Sequence, residues 1–520
     1  MPRQGFGTYV SWALMAILIG LLLAGGPACD RQAARRSADR VPAYAAYREQ
    51  CCKQLADIRD AKAEKVKQWL SAQREHLAEP DTRSELIDFF DQMKAVVAGG
   101  SGRPGKRAKS RFLELNREIE RYFVYRLGIF YDLLFIDAQE TVFYSVKMEE
   151  DFRSSLTTGA YAKTRMAAVV RKSPEKMRFV DFQYYGASDE AAAFHILPVW
   201  RNNRYRGAIA LQLSINHLNQ MLTDRSGLGR TGEAYLVNKQ HLMLTESRFI
   251  NADTVLSKQI DTAAVKDWQQ PSGEEAMTDY RGVRVLSSFR QIPIGRTTWR
   301  IIVEKDESEV ISDYYQRYGK ALFPLLAESI QAHTQSCGQA VEKPAAASDG
   351  ARRVDVSELI RAGSRNQMYT PGLATCTGLV AYSTDGGFSY MAHLSPVDAS
   401  YGDAGRGKGQ RTDLLSLLLR RIRYFEIKPC QRHQLRFRVA ATHTRSLEGI
   451  LDRLLAAGIS LGQVKAAIAK DAESVSLYYD AAARSLTGIW YAGPSAPEES
   501  VDFGALPDLG ALTAGLSPEE

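Results

Sequence analysis

The feature that most restricts this chain is a plan of paired apolar runs that occurs twice. "YDLLFIDAQETVFYSV" (131–146) is an apolar run, a polar turn and a second apolar run, the pattern of a β-hairpin. A pair of strands follows in "AAFHILPVWRNNRYRGAIALQLS", with its turn at Arg201 to Arg204. The plan then returns: "GEAYLVNKQHLMLTES" (232–247) mirrors the first hairpin, and "VRVLSSFRQIPIGRTTWRIIVEK" (283–305) mirrors the strand pair. This is a repeat of architecture rather than of identity.

Helices precede the repeat. Residues 43–98 read as helix, with Cys51, Leu55, Ile58, Val66, Trp69 and Leu70 at three-four spacing. Pro80 and Asp81 stop the first helix, and Thr82 with Glu85 reads as a capping box for "TRSELIDFFDQMKAVV". A third helix is expected from about Lys109 to Leu127, and helical geometry again over "EEDFRSSLTTGAYAKTRMAAVVRK".

With 520 residues the chain is long enough for several domains, and 45% apolar with 24% charged residues is a globular composition. The net charge of +7 is modest, and no Lys/Arg tract is interleaved with aromatics, so a nucleic-acid partner is not expected. The six cysteines (Cys29, Cys51, Cys52, Cys337, Cys376, Cys430) show neither CxxC pairing nor metal-ligand spacing, so neither metal nor cofactor is expected. Cys51 and Cys52 are adjacent in a helical stretch, where they either cross-link two exported chains or are small residues on a helix face.

From Gln4 to Cys29 there is no charged residue, and "YVSWALMAILIGLLLAGG" is long enough for a membrane span or a signal-peptide core. Residues 1–29 are therefore expected to be an anchor to the inner membrane or a cleaved signal, with "AGGPACD" offering Cys29 for lipidation. Arg31, Arg35, Arg36 and Arg40 follow the segment against Arg3 before it, so the positive-inside rule alone holds the body in the cytoplasm.

The repeated plan behind one long helix, with "GRTGEAYLV" as its most characteristic stretch, resembles the double Cache domain of bacterial chemoreceptors and sensor kinases over roughly residues 40–310. The resemblance implies two PAS-like α/β modules outside the cytoplasm, a small-molecule pocket in the membrane-distal one, and a homodimer through the long helix. That implication opposes the positive-inside reading. The loop "MRFVDFQYYGASDEAAAFHILPVW" is dense in Tyr, Phe and Asp, and hydroxyl-bearing aromatics beside a carboxylate suit a small polar ligand with an amine. The candidate ligand residues are Tyr144, Asp181, Tyr184, Tyr185 and Phe194; the alternative is that these side chains are sheet core. The Arg followed by Trp-Tyr of amino-acid-binding members is absent from this loop, where Arg178-Phe179 stands.

A connecting helix and the linker "GQAVEKPAAASDGARRVD" fill residues 313–353. In the last domain, "TPGLATCTGLVAYSTDGGFSYMAHLSP" (370–396) reads as a hairpin with Cys376 on one strand and His393 on the other. A turn between Asp385 and Gly386 sets His393 opposite Gly378 or Leu379. With Gly378 opposite, Cys376 is its diagonal neighbour, with Cβ atoms about 7–8 Å apart. A one-residue slip sends the two to opposite faces. A Cys beside a His can supply a thiolate nucleophile, with the His returning a proton to the leaving group, which suits acyl transfer from an amide. The stretch resembles the CheD family of chemoreceptor glutamine deamidases over about residues 365–491, with "SYMAHLSP" as the closest match. The resemblance implies catalytic roles for Cys376, His393 and Thr370. The strand "HQLRFRVAATHT" departs from the family in ending on "ATHT", which adds His443. In an exported domain the alternative is a disulfide from Cys376 to Cys430 or Cys337.

The expected organisation is therefore a mixed α/β chain: a double Cache sensor at 40–312, a separate α/β sandwich at 354–492 and a flexible tail at 493–520. The expected function is a membrane-tethered sensor of a small molecule in chemotaxis-related signalling. The alternative is a ligand-gated deamidase acting on a protein substrate. A partner receptor is a third expectation.

Overall fold

The computed structural model describes residues 41–98, 106–340, 351–363, 366–396, 398, 413–427, 429–469, 472–493 and 498–516. The expected leader or anchor (1–29, with Cys29) and most of the expected linker lie outside the described residues. Two units divide the chain, Cys51–Glu307 and Met1–Gln50 with Ser308–Glu520.

In the unit Cys51–Glu307, the helix Tyr44–Ala78 buries a stripe that includes Leu55, Val66, Leu70 and Leu77. Arg59, Lys62 and Gln73 are buried on the same stripe. Buried cations need partners. Arg59 donates to Ser288 Oγ at 3.0 Å and to the Phe289 carbonyl at 3.3 Å. Lys62 Nζ donates to the carbonyls of Met221 and Asp224 at 2.9 and 2.8 Å. Those carbonyls end the helix Asn216–Thr223, where unpaired acceptors and the negative dipole end favour a cation. Pro80 opens the next helix, Pro80–Ala98, as its first residue. The expected capping box is not formed: Thr82 Oγ1 donates to Glu79 Oε2 instead. The third helix is Lys106–Arg126.

The two modules that follow share one sheet topology. The first has β1 (Asp132–Asp137), β2 (Val142–Ser145), β3 (Arg178–Tyr185), β4 (Glu190–Arg201) and β5 (Arg204–Ser214), in the order β2-β1-β5-β4-β3. The second has β6 (Glu233–Val237), β7 (Ser272–Thr278), β8 (Arg284–Ile294) and β9 (Thr297–Asp306), in the order β6-β9-β8-β7. All pairs are antiparallel. The repeat is thus real but one strand short. Residues 242–243 make only isolated bridges, so the second expected hairpin is β6 with a bridged turn. The β4–β5 turn falls where expected, with Asn202 and Asn203 both at positive φ, as a two-residue hairpin requires. The helix expected after β2 is reduced to Arg165–Val170, capped by Thr164, with turns over 150–153.

The unit containing Ser308–Glu520 is a three-layer sandwich of mixed α/β class. Its strands are β10 (Gln339–Ala340), β11 (Arg352–Arg353), β12 (Leu359–Ala362), β13 (Gln367–Leu373), β14 (Thr377–Ser383), β15 (Ser389–Leu394), β16 (Leu435–Ala441), β17 (Val464–Ile468), β18 (Ser474–Asp480), β19 (Ser485–Tyr491) and β20 (Glu499–Asp502) among the described residues. One sheet runs β12-β15-β14-β16-β17, and β20-β19-β18-β13 form the body of the other. Strand β14 is buried at every position, because Leu379 and Ala381 face the helices while Val380 and Tyr382 face the second sheet. Tyr315, Phe323, Leu326 and Ile330 of the helix Glu307–Ser336 belong to the helix-side core. This helix, expected as a connector, is therefore part of the domain. The tail expected to be flexible also contributes: β20 pairs with β19, and Val501, Phe503, Leu506 and Leu509 are buried.

Candidate functional site

Two sites emerge, one in each unit. In the first module, the loop face of the sheet carries Leu134, Ile136, Val142, Tyr185, Phe194 and Ile196 in one core cluster. The Tyr185 ring meets Phe194 at 5.0 Å and Tyr161 at 5.4 Å. At the edge of this cluster lie four carboxylates, Asp132, Glu149, Asp151 and Glu190. Tyr185 donates to Asp151 Oδ2 at 2.7 Å, and Tyr131 donates to Glu149 Oε1 at 2.6 Å. Asp132 accepts from Ser145 Oγ and from the backbone N–H groups of Leu133 and Lys147. The other oxygens, Asp151 Oδ1, Glu149 Oε2 and Glu190 Oε1, are buried with no partner among the described residues, as is Gln212 Oε1. Asp151 itself is 1% exposed.

Unpaired buried carboxylate oxygens are costly, and the cost appears in the titration of Asp151 and Glu190. Burial, and then the charge of Asp151, push Asp132 up to about 6. Burial raises Asp151 as well, with Glu149 adding repulsion, and burial raises Glu190, again with Glu149. An incoming ammonium or other cation would supply the missing donors and neutralise this repulsion.

Of the five ligand residues expected from sequence, two belong to this site: Tyr185 bonds a carboxylate, and Phe194 packs on its ring. Asp181 does not. It accepts from Trp299 Nε1 at 2.7 Å and Thr297 Oγ1 at 3.0 Å, tying β3 to β9 of the second module. Tyr184 is exposed and donates to Asp189. Tyr144 faces the helices, its hydroxyl donating to Asn116 at 3.0 Å. A register shift between Phe135 and Ile136 is the reason, since Phe135 pairs with Tyr144 but Ile136 with Val142. The extra residue, Phe143, breaks the alternation, and both aromatics meet Phe135 on the helix face. The missed residues are Tyr131, Asp132, Glu149, Asp151, Tyr161 and Glu190. The acidic run Glu149–Asp151 was the available signal, but it lay in a stretch read as helix.

In the second unit the hairpin register is the expected one that sets Gly378 opposite His393, but Cys376 is not on the strand: it lies in the bend over 374–376, just before β14. Gly378 pairs with His393 and Thr377 with Leu394. Gly378 is needed there, because a Cβ would sit 2.2 Å from Leu477 Cδ1 of the facing sheet. The buried His393 ring reaches across the inter-sheet space, and its Nδ1 lies 2.7 Å from Thr370 Oγ1 on β13. With Nδ1 engaged, Nε2 is the nitrogen left to move a proton, and it has no partner among the described residues. Cys376 is half-buried and packs against the same inter-sheet core. It is a free thiol, as is Cys337, so the alternative disulfide between them is not formed; the side chain of Cys430 lies outside the described residues. Burial raises the Cys376 thiol and lowers His393. Each group is therefore neutral at rest, Cys376 as a thiol and His393 as an imidazole. Thr442 Oγ1 donates to the Ala374 carbonyl at 2.6 Å and lies 2.9 Å from His443 Nδ1, so "ATHT" braces the segment that leads into Cys376.

Two antiparallel modules of one topology on a shared long helix, the first with a buried cluster of carboxylates, define a Cache-like sensor module. The chain belongs to the Cache domain family, whose model matches residues 43–314. Among solved structures it is similar to the ligand-binding domain of the Pseudomonas fluorescens chemoreceptor CtaA in complex with L-isoleucine. The identity is 17%, over 51% of this chain and 97% of that chain, with a TM-score of 0.33. It is also similar to the ligand-binding domain of the Pseudomonas aeruginosa amino-acid chemoreceptor PctB in complex with L-Arg, at 14% identity over 50% and 97%, with a TM-score of 0.33. No curated protein matches the chain. No helix among the described residues is long and apolar enough to cross a membrane.

Proposed function

We propose that this chain is an extracytoplasmic sensor, tethered through its N-terminal apolar segment, whose first Cache module binds a small molecule carrying an ammonium or similar cation. The reading rests on the buried, unpartnered oxygens of Asp151, Glu149 and Glu190 beside the Tyr161–Tyr185–Phe194 aromatics. Amino acids belong to this ligand class, and so do polyamines and quaternary amines. The test is calorimetry of the full chain with a panel of amines, amino acids and neutral analogues of equal size. Binding confined to cation-bearing compounds, weakened about tenfold or more in Asp151→Asn, supports the reading. Binding of neutral analogues with equal affinity refutes it.

A second reading concerns the C-terminal domain as output, favoured by the Thr370–His393 contact, the Gly378–His393 register and the free Cys376 immediately before β14. In that reading the domain is a CheD-like cysteine amidohydrolase. His393 Nε2 takes the thiol proton as Sγ attacks a glutamine side-chain carboxamide. It then gives that proton to the departing ammonia, and water hydrolyses the thioester to leave glutamate. Ammonia release from a glutamine-bearing protein, abolished in Cys376→Ala and slowed in Thr370→Val, is the expected result. Release that persists in Cys376→Ala assigns the activity elsewhere. Impermeant thiol labelling of intact cells at Cys376 tests the extracytoplasmic placement, which fails if the label enters only after lysis.

A further inference from the structure

The opposite face of the first sheet carries a second feature that the sensor reading does not use. His195, next to Phe194 on β4, points to the helix side and lies 3.4 Å through Nε2 from Gln73 Oε1. A cleft of about 280 Å³ opens beside it, lined among others by Lys67, Arg74, Arg178, Phe179 and Arg296. Three elements meet there: the helix Tyr44–Ala78, the start of β3 with β4, and the β8–β9 turn.

The lining contains four cationic side chains and no carboxylate. Lys67 has an acid near it, Glu64 at 4.0 Å one turn back on the helix, with both side chains solvent-accessible. Such an exposed pair neutralises little. Arg74 is close enough to His195 that its charge, after burial, helps hold that imidazole down to about 4. The histidine therefore stays neutral and adds no repulsion. Behind the lining, Gln73, the neighbour of His195, is wholly buried, and its Nε2 has no partner among the described residues. Folding brings these like charges from distant parts of the chain to one concavity, with no acid in the lining to offset them. Arginine forks on several sides of a small cleft match an oxyanion with more than one negative charge.

We infer that this cleft is a second ligand site, for a small oxyanion of the phosphate or di- and tricarboxylate kind, separate from the cation pocket on the other face of the sheet. An anion bound there bridges the helix, the first module and the β8–β9 turn of the second. It thereby stiffens the contact between the two modules of the Cache unit.

The probes are inorganic phosphate and citrate, added to the full chain, with sodium chloride at matched ionic strength as control. Calorimetric binding together with a raised melting temperature, beyond the chloride effect, is expected for at least one of them. The affinity falls about tenfold in Arg178→Ala and again in the Arg74→Ala/Arg178→Ala pair. Arg296→Glu, on an exposed turn where folding is insensitive to the change, gives the same loss. Asp151→Asn leaves anion binding unchanged. No binding beyond the chloride control, or binding undiminished in Arg296→Glu and in the double variant, overturns the inference.

Discussion

At the residue scale, neighbouring carboxylates of one module do opposite work. Asp151 has a buried oxygen waiting for a donor, whereas both oxygens of Asp181 are occupied by Trp299 and Thr297. Asp181→Ala leaves the buried indole N–H unpaired and is expected to cost about 1–3 kcal/mol in urea unfolding, with amine affinity unchanged. Asp151→Asn is expected to do the reverse. Titration separates them further. Asp132 is raised to about 6 by burial, so its folded state holds a proton that the unfolded chain has already released. Its stability contribution is therefore full below the unfolded value of about 4 and is lost as pH rises through about 6. Glu304 of the second module, fully buried and raised to about 8, follows the same sign at higher pH. Thermal melts of the ligand-free chain should show stability falling from about pH 4 to about pH 8, with the fall below about pH 6 shallower in Asp132→Asn. A cationic ligand favours the ionised carboxylates, so its affinity is expected to rise with pH through the lower part of this range. The sequence offered all these residues. It did not distinguish a paired aspartate from an unpaired one, because pairing depends on partners more than a hundred positions away, as with Asp181 and Trp299.

At the element scale, the strands of both modules and the Asn202-Asn203 turn were legible, since alternation and turn chemistry are local. The β2 bulge was not. One extra residue at Phe143 turned Tyr144 from the loop face to the helix face, and no local propensity announces such an insertion. The hairpin β4–β5 has a similar hidden constraint in Gly207, at φ +143, where a Cβ would lie 2.1 Å from the Ile136 carbonyl oxygen. Gly207→Ala combines backbone strain with that clash and is expected to destabilise the unit by about 2 kcal/mol or more, read from the shift in urea midpoint. In the second unit the reading of β14 and β15 stood, while β17, "VKAAI", was missed. Its alanines lower strand propensity, and it is a strand because the helix Thr444–Ala456 returns it parallel to β16.

At the scale of the whole molecule, the family match and the unit boundary agree closely, at Tyr314 and Glu307. The domain that follows is larger than its motif suggests. A fragment 354–492 lacks the helix Glu307–Ser336, β20 and Leu509, and so exposes both cores of the sandwich. A fragment 308–516 retains them. Circular dichroism melts should show a cooperative transition for the longer fragment and none for the shorter. Equal cooperativity would make the helix and tail dispensable.

The sequence by itself determined the repeated strand plan, the helix that carries it, and the hairpin that holds His393 and starts just after Cys376. These follow from periodicity and turn chemistry, which act over a few residues. Only the tertiary structure decided which carboxylates lack partners, that four cations share one cleft, and that Thr370 reaches His393 from another sheet. Those outcomes depend on distance and desolvation between segments far apart in the chain, and burial, which sets their energies, does not exist until the chain has folded.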